Sequence, residues 1–336
     1  MVLLSRSARI FLPIFRSEVP MSKRLVVLLV ALAASACGAS SGAVDAAEAT
    51  GGIEAVEAAD DGAPDAASLP GPLRIVTFNV LCSLCDPAFD KWSMRLEYFR
   101  DLFARHDPDL IGLQELIFPA EVDQMVALLP HPYAAIYWPG NDDLNAYPDA
   151  TVLYRTDRFE LLDHGFFWLS PTPDVPGSKG FAASQLIRLV TWTRLKRLAD
   201  GRELTFATTH FDNNQPSQPL SAPVLLERAE PWAAAGPTVV VGDFNSKPDS
   251  PAYQTLVGGV DGQGFHFENA YDLAAGRDLD ANLAPPPPWA PENRIDHVFL
   301  AGAAWTCPRW VVDLHKYGED VLFPSDHRAI LAECSF

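Results

Sequence analysis

Polar residues recur in this chain where apolar, β-rich runs stop, and that recurrence most limits what the chain can become. "TFNVL" carries Asn79, "GLQEL" carries Glu115, and "ATTHFDNN" carries His210. "VVGDFNS" carries Asp243 and Asn245, "RIDHVFL" carries Asp296, and "PSDHRAI" carries Asp326 and His327. A charged group at the end of a buried strand is costly unless it is paired or meets a cation. Packing alone gives no reason to repeat that arrangement. In an extended strand, side chains two apart share a face, so Asp243 and Asn245 are expected to point one way and Phe244 the other.

Between these points the periodicity reads as many strands and few helices. "RIVTFNVL" (74–81) is β-rich, and 92–106 places Leu96, Phe99, Leu102 and Phe103 at helical spacing. A buried strand is expected in 107–116, and a helix over 119–130 with Pro at its first position. Strand-like runs follow at 133–138, 150–154, 159–169, 186–198 and 203–211, with Asp200-Gly201 as a hairpin turn. A helix near 221–235 leads to a strand at 238–243, and a short helix starts near Ser250. Strands return at 294–300, 305–313 and 327–333, after a rigid extended loop at "PPPP" (285–288). No βαβ rhythm or internal repeat is present. Two packed sheets with helices outside fit this order.

The first 72 residues read differently. Lys23 and Arg24 precede an apolar run, Leu25 to Leu32, and small residues lead to Cys37. This is a signal-peptide pattern, with Met21 as the expected start and residues 1–37 as the leader. Ala34-Ser35-Ala36-Cys37 resembles a lipoprotein cleavage box with Cys37 as the lipidated residue; the alternative is ordinary cleavage near Ala36. Residues 38–72 carry seven acids and no Lys or Arg, and read as a flexible tether. The expected location is outside the cytoplasm, on a bacterial membrane through the lipid, or secreted or periplasmic without it.

The whole chain has net charge −18, of which residues 73–336 keep −15, with six lysines in all. Proteins that grip long nucleic acid carry basic faces, because phosphate neutralisation supplies most of that affinity. The composition therefore weighs against a broad nucleic-acid grip but not against small phosphate esters. Past the tether, Cys307 and Cys334 lie in two late apolar runs expected to be neighbours and to form a disulfide. Cys82 and Cys85 form C-x-x-C, read as a local disulfide or two thiols.

Taken in order, the Asn, Q-E, T-H, G-D-x-N, I-D and S-D-H elements resemble those of the endonuclease/exonuclease/phosphatase superfamily, over residues 73–336. The resemblance implies an α/β (α+β) four-layered sandwich of two mixed sheets flanked by helices, and hydrolysis of a phosphoester with a divalent metal. Mg²⁺ is the expected cofactor, with Mn²⁺ or Ca²⁺ as substitutes, because carboxylate oxygens suit hard cations. It implies Glu115 as first metal ligand, Asn79 beside it, and Asp326 as a further ligand. Asp243 would orient or deprotonate the attacking water, and Asn245 would donate to a phosphate oxygen. His327 would meet the scissile phosphate, held by Asp296, and His210 would assist at the phosphate or leaving group. Arg188 resembles a phosphate-contacting position; a surface strand arginine is its other reading. His297 stands where an aromatic is frequent, which alters the pocket edge.

The implied partners are a phosphoester substrate and a membrane reached through the anchor, with no obligate protein partner and a monomeric state. The expected activity is that of a phosphodiesterase or phosphatase, most simply a phosphodiesterase; a small phosphoester or sugar phosphate ranks first as substrate, an extracellular nuclease second and a sphingomyelinase-like phospholipid hydrolase third. A non-catalytic binding module on the same scaffold is the rival from another class.

Overall fold

Apolar strands alternate with loops through the described part of the chain, and helices are inserted where the 3.6-residue period appears. The computed structural model describes residues 71–139, 148–182, 184 and 186–336. The chain divides into two units, Met1–Ala63 and Pro64–Phe336, and the described residues all belong to the second. The leader, Cys37 and most of the tether lie outside the described residues.

One sheet has the strand order β10-β12-β13-β1-β2-β4-β3. These strands are β1 (Leu73–Asn79), β2 (Leu110–Gln114), β3 (Tyr133–Ile136), β4 (Ala150–Arg155), β10 (Ala274–Asp280), β12 (Thr306–Asp313) and β13 (Ile330–Ser335). The other sheet runs β5-β6-β7-β8-β11-β9. Its strands are β5 (Phe159–Trp168), β6 (Leu189–Arg197), β7 (Glu203–His210), β8 (Thr238–Asp243), β9 (Glu268–Asn269) and β11 (Asp296–Ala301). Leu73, Ile75, Leu110 and Val152 of the first sheet pack against Phe206, Val239, Val241 and Val298 of the second.

The outer faces are covered by helices. Helices α1 (Trp92–His106) and α2 (Pro119–Leu128) lay Phe99, Phe103, Val122 and Met125 on Val76 and Phe78. On the second sheet, α3 (Ser217–Ala235) and α4 (Pro251–Gly258) cover Val190, Ala207 and Val240 with Leu225 and Tyr253. A one-turn helix α5 (Ala270–Leu273) links β9 to β10. The result is a four-layered α/β sandwich of two mixed sheets.

Two glycines permit close approach. A Cβ on Gly112 of β2 would strike Val241 and Thr208 of the facing sheet, and one on Gly242 would strike the Thr209 carbonyl of the adjacent strand β7. Gly242 therefore serves strand pairing. Strand β10 has no apolar alternation in "AAGRDLD" because it is an exposed edge, held by parallel pairing to β12. Cys307–Cys334 joins β12 to β13 with Cα atoms 4.1 Å apart, and Cys82–Cys85 closes a local loop. At the C-terminal end of α1, Arg105 Nη1 and Nη2 donate to Asp280 at 2.6 Å and Asp313 at 2.8 Å, tying the helix to β10 and β12.

Candidate active site

Strand direction gathers the chemistry at one rim. Strands β1 and β2 run parallel and end at Asn79 and Gln114, one residue before Glu115. Strands β7 and β8 run parallel and end opposite each other at His210 and Asp243. Antiparallel β11 begins at the same level, with Asp296 in register with Asp243. Strand β13, antiparallel to β1, begins just after Asp326 and His327. A strand that ends and an antiparallel strand that begins thus deliver residues to the same place.

Asp243 lies at the centre and is almost fully buried. Its Oδ2 accepts from Asn79 Nδ2 at 3.1 Å, across the two sheets. The same oxygen is 3.3 Å from His210 Nε2 and 3.5 Å from His327 Nε2. Each imidazole is backed by a buried carboxylate. His327 Nδ1 is 2.9 Å from Asp296 Oδ2, and His210 Nδ1 is 2.9 Å from Asp149 Oδ1. Asp243 is therefore flanked by two Asp–His pairs.

These contacts set the charges. Burial opposes the charged form of Asp243, but His210, and then His327 and the Asn245 N–H, outweigh it and hold the carboxyl well below the usual range. Burial and Arg188 work against a charged His210; Asp149 and Asp243 prevail and raise it to about 9. Burial likewise disfavours a charged His327, but Asp296 and Asp243 raise it to about 10. The carboxylates thus favour the protonated form of both imidazoles, opposed at His210 by Arg188 Nη1, 2.8 Å from its Nδ1.

Glu115 sits with φ of 69°, a left-handed backbone that is uncommon outside glycine and turns its side chain back toward the rim. Its Oε1 accepts from Asn79 Nδ2 at 2.9 Å and its Oε2 from Cys82 N at 3.0 Å. Asn79 faces both carboxylates with its amide nitrogen, while its Oδ1 accepts the Leu81 N–H at 3.0 Å. Asp326 is exposed on the turn beside His327, and its Oδ1 accepts from Ser325 Oγ at 3.2 Å.

Three expectations change. Asn245 does not continue β8: at φ of 49° it leaves the strand, its N–H donates to Asp243 Oδ1 at 2.8 Å, and its Nδ2 donates to Phe211 O at 3.0 Å. An Asx turn, not strand alternation, relates the two residues, because β8 stops at Asp243. Phe244 does pack away from the rim, against Phe211 and Phe299. Arg188 is not a surface arginine: its Nη1 donates to Asp149 Oδ2 at 2.5 Å, behind His210. His297 lies within the aromatic cluster of Tyr253 and Phe299, its Nε2 donating to Ser246 O at 2.8 Å, so it belongs to the core rather than the pocket edge.

Two residues escaped the sequence reading. Asp149 precedes "ATVLY", and an acid before a run is as informative as one after it when the strand is antiparallel; β4 pairs antiparallel to β2. Arg95 occupies a buried helical position where the period calls for an apolar residue. Its Nη1 donates to Val80 O at 2.6 Å, Leu81 O at 3.0 Å and Pro324 O at 3.2 Å, and its Nη2 to Cys82 O at 3.3 Å. It joins the loop after Asn79 to the loop before Asp326.

Asp243, Asp296 and His327 bring three ligand atoms together at the rim, a set that could hold a divalent cation. Glu115, Asp243, Asp296 and Asp326 offer carboxylate oxygens, and Asp296 Oδ1 is buried without a hydrogen-bond partner. The sulfurs near Glu115 are bonded to each other, so they offer no thiolate.

A family model described as the Endonuclease/Exonuclease/phosphatase family matches residues 76–327. The chain belongs to this family of phosphoester hydrolases, whose members typically depend on a divalent metal. Among solved structures, a Bacteroides thetaiotaomicron mannosyl-6-phosphatase is 28% identical with TM-score 0.68, covering 79% of this chain and 100% of that one. A Bacteroides vulgatus endonuclease/exonuclease/phosphatase is 27% identical with TM-score 0.66, covering 79% and 99%. The human Nocturnin catalytic domain, 18% identical with TM-score 0.58 over 79% of this chain and 94% of that one, shares the fold. Protein angel of Drosophila melanogaster is 28% identical over 178 residues, 51% of this chain and 48% of that protein. The chain thus spans about half the length of this curated relative, and the match to an uncharacterized mimivirus protein covers 32% of that one.

Proposed function

We propose that the described domain is a Mg²⁺-dependent phosphohydrolase acting on small phosphate esters, most simply sugar phosphates. The observation that carries this reading is Asp243 Oδ2 placed between the Nε2 atoms of two imidazoles, each held by a buried aspartate. A carboxylate held far below its usual range is a poor proton acceptor. Asp243 therefore orients the attacking water and keeps the two imidazoles aligned. The Nε2–H groups, 3.3 and 3.5 Å from Asp243, can turn to phosphate oxygens as negative charge grows. His327 passes its proton to the departing alkoxide as the P–O bond breaks, and of the attacking water's two hydrogens one stays on the phosphate product and the other returns to His327. Asn245 keeps a second amide hydrogen for a phosphate oxygen. Glu115 and Asp326 would hold the cation, which would supply Lewis-acid polarisation of the phosphate. Asn79, whose amide nitrogen faces Glu115 and whose Oδ1 is taken by Leu81 N–H, would orient that ligand rather than bind the metal. Arg188 lies against both Asp149 and the Nδ1 atom of His210, at 2.5 and 2.8 Å, and so helps to fix that pair.

The acidic balance and the likeness to a mannosyl-6-phosphatase favour a small ester over nucleic acid. Purified protein with Mg²⁺, assayed on p-nitrophenyl phosphate, sugar phosphates, bis-p-nitrophenyl phosphate, DNA and sphingomyelin, is expected to cleave the monoesters fastest. Faster DNA cleavage with a steep fall in rate at higher salt would move the assignment to a nuclease. No turnover of any ester would return the chain to a binding module.

We further propose export and lipid attachment at Cys37, supported by the pattern at residues 21–37. Expressed in a bacterium, the full chain is expected in the membrane fraction, and Cys37→Ser is expected to shift it to the soluble fraction. An unchanged distribution would remove the anchor.

A further inference from the structure

We infer that the cleft beside His327 receives an anionic leaving group, a carboxylate or phosphate carried by the alcohol that departs with the ester oxygen. This rests on the phosphohydrolase reading and names its substrate class. The cleft has a volume of about 390 Å³ and is lined by residues including Trp289, Asn293, Asp296, Asp326, His327 and Arg328. Small-molecule sites begin at roughly 300 Å³, so a sugar-sized alcohol fits. The catalytic groups Asp296 and His327 form part of this lining.

Arg328 supplies the selectivity. Its Nη1 donates to Ser325 O at 3.0 Å and His327 O at 2.9 Å, and its guanidinium lies 3.2 Å from the Phe323 ring centroid. These contacts fix the fork without neutralising it. Among the described residues, no carboxylate lies within ion-pair distance of Arg328. Other arginines near the rim are committed: Arg188 pairs with Asp149 at 2.5 Å, and Arg294, which also lines the cleft, is 3.8 Å from Asp272 and 4.1 Å from the Tyr271 ring centroid. Asp326, Asp296 and Asp313 act on Arg328 only from beyond ion-pair distance, and a half-buried, oriented guanidinium with no carboxylate bonded to it suits a planar or tetrahedral oxyanion. A neutral sugar needs hydroxyl partners, not a fixed charge. Asp296 and Asp326 in the same lining would repel an anion, so a compensating cation is required if the leaving group is anionic.

The test measures kcat/KM of the full chain with Mg²⁺ on glucose 6-phosphate, 6-phosphogluconate and fructose 1,6-bisphosphate. At least one anionic substrate is expected to exceed glucose 6-phosphate by about tenfold or more, the gluconate arm reading a carboxylate and the bisphosphate arm a second phosphate. Arg328→Met is expected to remove that preference through KM, and Arg328→Lys to restore part of it. A wild-type protein with no preference for either anion overturns the inference, whether or not the variants fold. So does a preference that survives Arg328→Met while all three rates fall together, which would assign Arg328 to charge balance with Asp326. Wild-type failure on all three esters and on p-nitrophenyl phosphate would take the sugar-phosphate reading down with it, whereas cleavage without preference removes this inference alone.

Discussion

Asp243→Asn is expected to lower kcat on a sugar phosphate by about 10³-fold with little change in KM. Loss of a positioned acid–base or electrostatic group typically costs about 10² to 10⁴ in rate. Asn keeps the shape and can still accept from Asn79, but it removes the charge that both imidazoles face at 3.3 and 3.5 Å. The pH profile adds a second readout. In the parent protein, Asp243 helps to hold His210 up to about 9 and His327 up to about 10. A raised histidine keeps its proton below its shifted value and loses it as pH rises through that value. Removing Asp243 lowers both values, so the alkaline limb of activity moves toward neutral pH. A variant within tenfold of the parent rate, with an unmoved alkaline limb, would take Asp243 out of the centre of the site.

Arg95→Met is expected to lower unfolding free energy by about 3 kcal/mol or more, and activity with it. Arg95 is 2% exposed and donates to four backbone carbonyls, Val80, Leu81, Cys82 and Pro324. Met fills much of the volume against Trp92 and Phe99, whose ring centroids lie 5.3 and 5.8 Å from the guanidinium carbon. It leaves the carbonyls without their donor. Hydrogen bonds to charged groups contribute about 1.5–3 kcal/mol each, and buried acceptors left unpaired account for much of the loss. Arg95→Lys keeps the charge with one nitrogen in place of the fork, so it is expected to fall between parent and Met. Denaturant melts of the three proteins check the order. A Met variant within 1 kcal/mol of the parent would show that the two loops hold their positions without Arg95. The loops carry Asn79 on one side and Asp326 and His327 on the other, so kcat should fall more steeply than stability predicts at temperatures well below unfolding.

Much of the architecture is legible because local signals agree with the final packing. Helix α1 coincides with its periodic segment, and β8 with its valine run. The exceptions share a cause. Strand β10 lacks alternation because neither neighbour nor core demands it on an exposed edge. Arg95 interrupts an apolar face because its partners are carbonyls from loops distant in sequence, which no helical period can reveal. Asn245 leaves the strand through an Asx turn, a local choice that overrides the two-residue alternation of β8.

The order of polar residues at strand termini was enough to determine the family and the fold class, and to nominate side chains for the chemistry. Those properties depend on residue type, local period and order along the chain. Tertiary structure decided the pairing. It set Asp149 rather than solvent behind His210, placed Arg188 on Asp149, and left Arg328 in the cleft beyond ion-pair distance of Asp296 and Asp326. Such pairings join residues tens to hundreds of positions apart, and their energies fall off over a few ångströms. They exist only once the two sheets have brought their strand ends to one rim.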